Sequence, residues 1–160
     1  MSGANDGVVS VSGVVIGVAA ATDDTLILLV AAVAAIISGA VSMAGAEYTS
    51  VSAGRDAEIG HGRRPEDVSA HPWLAAVASM SAFTIGSILP TIAILGPWVE
   101  IRLQVTAIAV VVALALTGWW AARMAKSPKI WPSIARNVTV SVITMGLSFA
   151  VGTLLRVTVG

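Results

Sequence analysis

Residues 42–56 read SMAGAEYTSVSAGRD. They continue an apolar run, Thr25 to Val41, that holds seventeen residues and no charge. They then place Glu47 on what should still be the same helix, one turn after Met43. Gly39, Met43, Glu47 and Ser50 lie four, four and three apart, so on a helix they share one face, bordered by Ser38, Ser42 and Gly45. A carboxylate oxygen and a thioether sulfur on that face can address one point. Together they suit a first-row divalent ion better than calcium or magnesium, which take oxygen ligands only. The plainer alternatives are that Met43 fills a gap in a core and that Glu47 sits at a membrane interface, paired with Arg55.

The rest of the chain makes the apolar run a membrane span. Of 160 residues 56% are hydrophobic and only 11% are charged, against about 25% charged in soluble domains. The mean hydropathy is +0.89. A bilayer core of about 30 Å needs about 20 helical residues. Five segments approach this, and the expected spans are residues 4–21, 25–53, 73–98, 103–123 and 136–157. The fold class is therefore all-α: one polytopic membrane domain, residues 1–160, of five transmembrane helices, with residues 55–72 as a short cytoplasmic loop. Trp73, Trp98, Trp119, Trp120 and Trp131 all fall near expected helix ends, as an interfacial belt requires. The formal net charge of zero gives no sign of a nucleic-acid partner. The absence of cysteine excludes disulfides, thiolate metal sites and dithiol redox chemistry. The first Lys or Arg is Arg55, so the first apolar segment lacks the basic start of a signal peptide and is expected to stay.

Orientation follows from Lys and Arg. With five spans, seven of the nine basic residues fall in the second-to-third and fourth-to-fifth connections, which share a side with the N-terminus. Arg102 and Arg156 fall on the other side. The N-terminus is expected in the cytoplasm. Either Asp23 or Asp24 is placed to cap the second helix.

The first helix carries the second candidate carboxylate. Val8 to Ala21 has fourteen residues, a rise of roughly 21 Å, which is too short. Extending it back to Gly3 takes in Asp6. An ionisable side chain at that depth is expensive and marks an ion or substrate path by default; the alternative is that Asp6 caps a helix starting at Gly7. Asp6, Ser10, Gly13 and Gly17 share a face, and Gly13-Val-Val-Ile-Gly17 is a GxxxG that permits close helix contact in lipid. The carboxylate should then point at another helix. Pro90 is expected to kink the third helix. His61 and His71 read as solvated loop residues, and Met80 and Met145 as packing residues.

These residues resemble a known family. Ser2-Gly-Ala-Asn-Asp-Gly-Val-Val-Ser10 is similar to the GAxDGxxS start of the vacuolar iron transporter family. Ser42-Met-Ala-Gly-Ala-Glu-Tyr48, with Ser50, Ser52, Arg55, Asp56 and Glu58, resembles its SMAxGEYxSxxSQRDxE. His71-Pro-Trp-Leu-Ala-Ala-Val-Ala-Ser79 with Gly86 and Leu89-Pro90 resembles the opening of its third helix, and Thr117-Gly118 with Ala122-Arg123 the end of its fourth. The resemblance implies no enzyme but a homodimer with a pathway between the first helices of two subunits. Such a protein carries Fe2+ or Mn2+ out of the cytosol in exchange for protons. It implies Asp6, Met43 and Glu47 as the metal-binding residues, no permanently bound cofactor, and the cation and protons as partners beside the bilayer and a second copy. Ser10, Gly13 and Gly17 would then line the dimer seam. Metal–proton exchange has a physical basis in competition for the same carboxylates.

The chain departs from the pattern at Ala46, at Ala53-Gly54, and above all at the second connection. Iron-storing members carry a Glu-rich helical domain there, whereas Arg55 to Pro72 is about eighteen residues. Only Glu58, Glu66 and Asp67 remain. The basic segment usual upstream of Asp6 in the family is also absent from this sequence. A transport-inactive scaffold of the same fold is the alternative function. The Ala/Val-rich composition, with no organelle-targeting signal, leads to the expectation of a bacterial plasma membrane, or an organelle membrane if the source is eukaryotic.

Overall fold

The computed structural model describes residues 2–124 and 130–159. Five helices make the fold: α1 (Ser2–Ala21), α2 (Thr25–Gly60), α3 (Pro72–Leu95), α4 (Arg102–Met124) and α5 (Ile130–Val159). Short 3-10 turns at Pro65–Asp67 and Val99–Ile101 lie in the connections before α3 and α4. Each of the five helices is long and apolar enough to cross a membrane, and the described residues contain no strand.

Helix α1 is the hub and packs against all four others. Its sequence suits the role. Gly7 lies so close to α3 that an added β-carbon would meet the Phe83 carbonyl, and Gly86 of α3 lies as close to the Ala4 backbone. Val11, Val15 and Ala19 join Leu28, Ala32, Phe83 and Ile94 in one buried cluster between α1, α2 and α3. Val8 and Ile16 join Val110, Leu114 and Met145 in a second, between α1, α4 and α5. The outward faces are apolar: Leu26, Val30, Ile37, Ile85, Ile108 and Leu147 are each at least 60% exposed. In water such a surface would aggregate; in a bilayer it is the lipid contact.

Lipid offers no hydrogen bonds, so polar groups must be satisfied internally. The hydroxyls of Ser87, Thr91 and Thr106 donate to the carbonyls one turn back, Phe83, Ser87 and Arg102, at 2.7–2.8 Å. The Trp98 indole donates to the Ala93 carbonyl at the end of α3. Asp24, one of the two residues expected to cap α2, accepts from the Leu26 and Ile27 amides at 2.7 and 3.4 Å. Pro90 is buried, and α3 continues through it to Leu95.

Two helices outrun their expected spans. Helix α2 runs on to Gly60 and α5 begins at Ile130. The 36 residues of α2 rise about 54 Å, well beyond a hydrocarbon core. Its last turns carry Arg55, Asp56 and Glu58, charges that belong in water. The following turn reverses at Gly62, whose φ of +89° favours glycine. Arg63 pairs with Glu58, and Arg64 with Glu66 and Asp67. Tyr48 meets Trp73 with ring centroids 4.9 Å apart, which locks α2 to α3 at this end.

Candidate functional site

Asp6 lies within α1, not before it, so it does not cap a helix starting at Gly7. Its carboxylate accepts from the Ser10 hydroxyl at 3.3 Å, and among the described residues it forms no ion pair. It opens into a cavity of about 310 Å³ between α1, α4 and α5, whose other polar walls are Asn5, Arg136 and Asn137.

Met43 and Glu47 stand elsewhere. Gly39, one turn before Met43, faces α3 so closely that a β-carbon would enter the Phe83 ring. The face that the spacing of Gly39, Met43 and Glu47 defines is thus turned inward. Met43 packs against the Val11–Phe83 cluster, and Glu47 is half-buried one turn on. The expected partner of Glu47 in the plainer reading, Arg55, instead reaches the Ala70 carbonyl at 3.5 Å. Neither Met43 nor Glu47 lines the Asp6 cavity. Among the described residues no three His, Asp or Glu side chains gather closely enough to hold a metal ion. One chain therefore does not close a ligand cage around Asp6, Met43 and Glu47. His61 and His71 are exposed in the connection, as expected of solvated residues.

The glycine face of α1 meets a neighbour within the chain. Gly13 and Gly17 do allow close helix contact, but the helix they admit is α5 of the same chain. A β-carbon on Gly13 would fall 2.8 Å from Thr144 Cγ2, and one on Gly17 3.1 Å from the Ser148 carbonyl. One on Gly152 would collide with the Gly17 carbonyl. Gly13 is buried, while Asp6, Ser10 and Val14 are exposed along the strip beside it. The most exposed strip of α1 therefore runs through Asp6, Ser10 and Val14, with Gly13 and Gly17 along its edge against α5. Above Ser10 it continues as the floor of an apolar groove of about 540 Å³, walled by Ile27 of α2 and by Leu147, Val151 and Leu155 of α5.

Sequence reasoning passed over the other end of α1. Arg102, at the start of α4, is only 5% exposed and donates to the Asp23 carboxylate at 3.2 Å and to its carbonyl at 3.1 Å. Arg156 of α5 donates to the other carboxylate oxygen at 2.8 Å. The hydrogen bond and charge of Arg156, then those of Arg102, hold the Asp23 carboxyl below its ordinary value. Arg102 and Arg156 were legible only as the two basic residues of the less basic side. One further feature had no sequence signal: Ser141 on α5 is fully buried and its hydroxyl has no partner among the described residues.

A hub helix with a carboxylate on its open face, inside a bundle of membrane-length helices, is the framework of a membrane carrier. The VIT family profile matches residues 1–67 and 56–153. The chain belongs to the VIT family, and it is a transporter, not an enzyme. It is 33% identical to vacuolar iron transporter homolog 4 of Arabidopsis thaliana, over 92% of this chain and 77% of that protein. It is 32% identical to homolog 1 of the same plant, over 94% and 80%. It is 30% identical to VIT-like transporter 1a of Glycine max, over 79% and 70%. No solved structure matches it. These plant relatives lend no support to the bacterial plasma membrane expected from composition.

Proposed function

We propose that the protein exports a divalent first-row transition-metal ion, Fe2+ or Mn2+, from the cytosol in exchange for protons, and that it does so as a homodimer. The observation that carries this reading is Asp6: a carboxylate on the exposed strip of a membrane-spanning helix, held among the described residues by Ser10 alone. Such a group is too costly to leave against lipid. A second copy docked along the Asp6–Ser10–Val14 strip covers it and brings the two Asp6 carboxylates to one axis by two-fold symmetry. A divalent cation between them relieves their repulsion and displaces protons. Met43 and Glu47, one turn apart on α2, form the approach on the side of the basic loops, and the thioether favours iron or manganese over magnesium. The Lys and Arg asymmetry puts the N-terminus and these loops in the cytosol. An organelle lumen as the destination is the reading that the names of the relatives, vacuolar iron transporter homologs, support.

The test is proton flux in proteoliposomes loaded with a pH dye and given Fe2+, Mn2+, Co2+, Zn2+ and Ca2+ in turn. The reading expects flux with the first two and none with Ca2+. Equal flux with Ca2+, or none with any ion, contradicts it. One observation favours the alternative of a transport-inactive scaffold. The connection from α2 to α3 holds no more than a three-residue 3-10 turn, so a cytosolic capture domain has no place there. Absence of flux with every ion, from a protein that still dimerises, would select the scaffold.

A further inference from the structure

We propose that Arg136 is a tethered counter-cation for Asp6, which sets how tightly the transported cation is held. This rests on the reading of Asp6 as a cation ligand and adds a residue that reading does not use. The Asp6 cavity is bounded by three helices: Asn5, Asp6 and Val9 from α1, Leu114 from α4, and Arg136, Asn137 and Val140 from α5. Its polar wall thus combines one carboxylate, one guanidinium and two carboxamides. Carboxylate and guanidinium share the space but do not form an ion pair. Every other arginine is engaged among the described residues. Arg55 reaches the Ala70 carbonyl, Arg63 and Arg64 pair with loop acids, Arg102 and Arg156 hold Asp23, and Arg123 lies over the Trp119 ring at 5.1 Å. Arg136 alone is turned to the cavity that Asp6 opens into.

The energetic consequence is two-sided. With no cation present, a guanidinium lining the same open cavity offsets part of the carboxylate charge and lowers the cost of holding it at membrane depth. With a divalent cation on Asp6, the same guanidinium repels it. A carboxylate with no positive neighbour binds a divalent cation more tightly; a carboxylate facing a fixed positive charge binds it more weakly and releases it sooner, which is what turnover requires. The carboxamides of Asn5 and Asn137 supply neutral oxygens that ligate a hard cation without adding charge. A guanidinium serves this role better than an ammonium site that titrates, because it stays protonated throughout. The competing account makes Arg136 a headgroup anchor of α5, with no bearing on the cation.

The experiment is equilibrium Mn2+ binding to the purified full-length protein, read from the paramagnetic resonance of free Mn2+, beside Mn2+ uptake into proteoliposomes. Asp6→Asn is the control for the underlying reading and should weaken binding by more than about tenfold. Arg136→Gln should tighten binding by about tenfold, because a unit repulsion on a divalent ion has been removed, and should lower the maximal uptake rate. Arg136→Lys, which keeps the charge, should stay within about twofold of the native protein by the same electrostatics. Unchanged or weaker Mn2+ binding in Arg136→Gln overturns the proposal, as does Arg136→Lys behaving like Arg136→Gln. If Asp6→Asn binds Mn2+ like the native protein, it is the cation-ligand reading that fails. Helical circular dichroism and the melting temperature identify any variant that is misfolded, and for Arg136 the lysine variant then carries the decision.

Discussion

The two ends of α1 treat a carboxylate in opposite ways. Near its N-terminus, Asp6 keeps one hydroxyl contact and faces an open, polar-walled cavity. Just past its C-terminus, Asp23 is gripped by Arg102 and Arg156 from the start of α4 and the end of α5. The second arrangement ties the α1–α2 connection to the start of α4 and the end of α5 and leaves the carboxylate nothing to give a ligand. The first leaves a carboxylate without a direct ion pair among the described residues, at a depth where a charge is costly. A carboxylate that a fold satisfies holds structure, and one that it leaves open is available to a cargo. The difference also shows in neighbouring backbone. Around Asp6 and Ser10 the strip is exposed, whereas one helical position aside Gly13, Gly17 and Gly152 seal α1 against α5.

The largest effect expected is at the open end. Glu47→Gln keeps the shape of a half-buried side chain and removes its charge. Metal uptake in vesicles should fall at least about a hundredfold, as loss of a ligand exceeds the usual cost of losing a group that merely supports one. The helix content and dimer should persist. Native uptake by this variant would remove Glu47 from the path.

Next comes the side of α1 that meets a second copy. Cysteine at Val14, which is 41% exposed, should give a covalent dimer with a mild oxidant. Cysteine at Gly13 should not, since it faces Thr144 of its own chain. Efficient crosslinking at Gly13 and none at Val14 would restore the glycine seam and break the comparison drawn above.

A smaller change should come from the sealed interface. Gly152→Ala sets a methyl against the Gly17 carbonyl, and overpacking of this kind costs about 1–3 kcal/mol. A thermal unfolding scan reads it, and an unchanged midpoint would mean that α1 and α5 are not in close contact.

The smallest effect belongs to the clasp and has a definite pH window. The Asp23 carboxyl is held below its ordinary value of 3.8. Its contribution is therefore complete above that value and is lost only as pH falls through the lower, native value. Asp23→Asn should lower the melting temperature by the same amount at pH 7 and pH 5, and the gap should narrow only below about pH 4. A gap that closes between pH 7 and 5 would make Asp23 a pH switch at organelle conditions, contrary to the clasp described here.

Much of this molecule is legible in its sequence because lipid permits so few solutions. Uncharged runs of some twenty residues have to be helices, and Asp6 and Glu47 stand out as the acidic exceptions in the expected spans, with Met43 one turn before Glu47. What spacing cannot convey is which neighbour a face meets. Asp6, Ser10, Gly13 and Gly17 fall within a narrow arc of one helix, yet α5 covers the glycine edge and leaves the Asp6–Ser10 edge open. Local periodicity places residues on an arc; the tertiary packing divides it. The clasp was hidden for a related reason. Arg102 and Arg156 lie 79 and 133 residues from Asp23, and no local pattern couples positions so far apart. The extra length of α2 was obscured because its final turns are polar and hold Gly54 and Gly60, so they carry no mark of a span, although Arg55, Ala57 and Glu58 favour helix in water.

In the proposed function the open carboxylate carries the cation and the clasped one does not. Radioactive Mn2+ uptake by Asp6→Asn and Asp23→Asn, measured side by side and scaled to the folded dimer recovered, tests it directly. No uptake above protein-free vesicles is expected for Asp6→Asn, and native turnover for Asp23→Asn. Uptake retained by Asp6→Asn and lost by folded Asp23→Asn would contradict it.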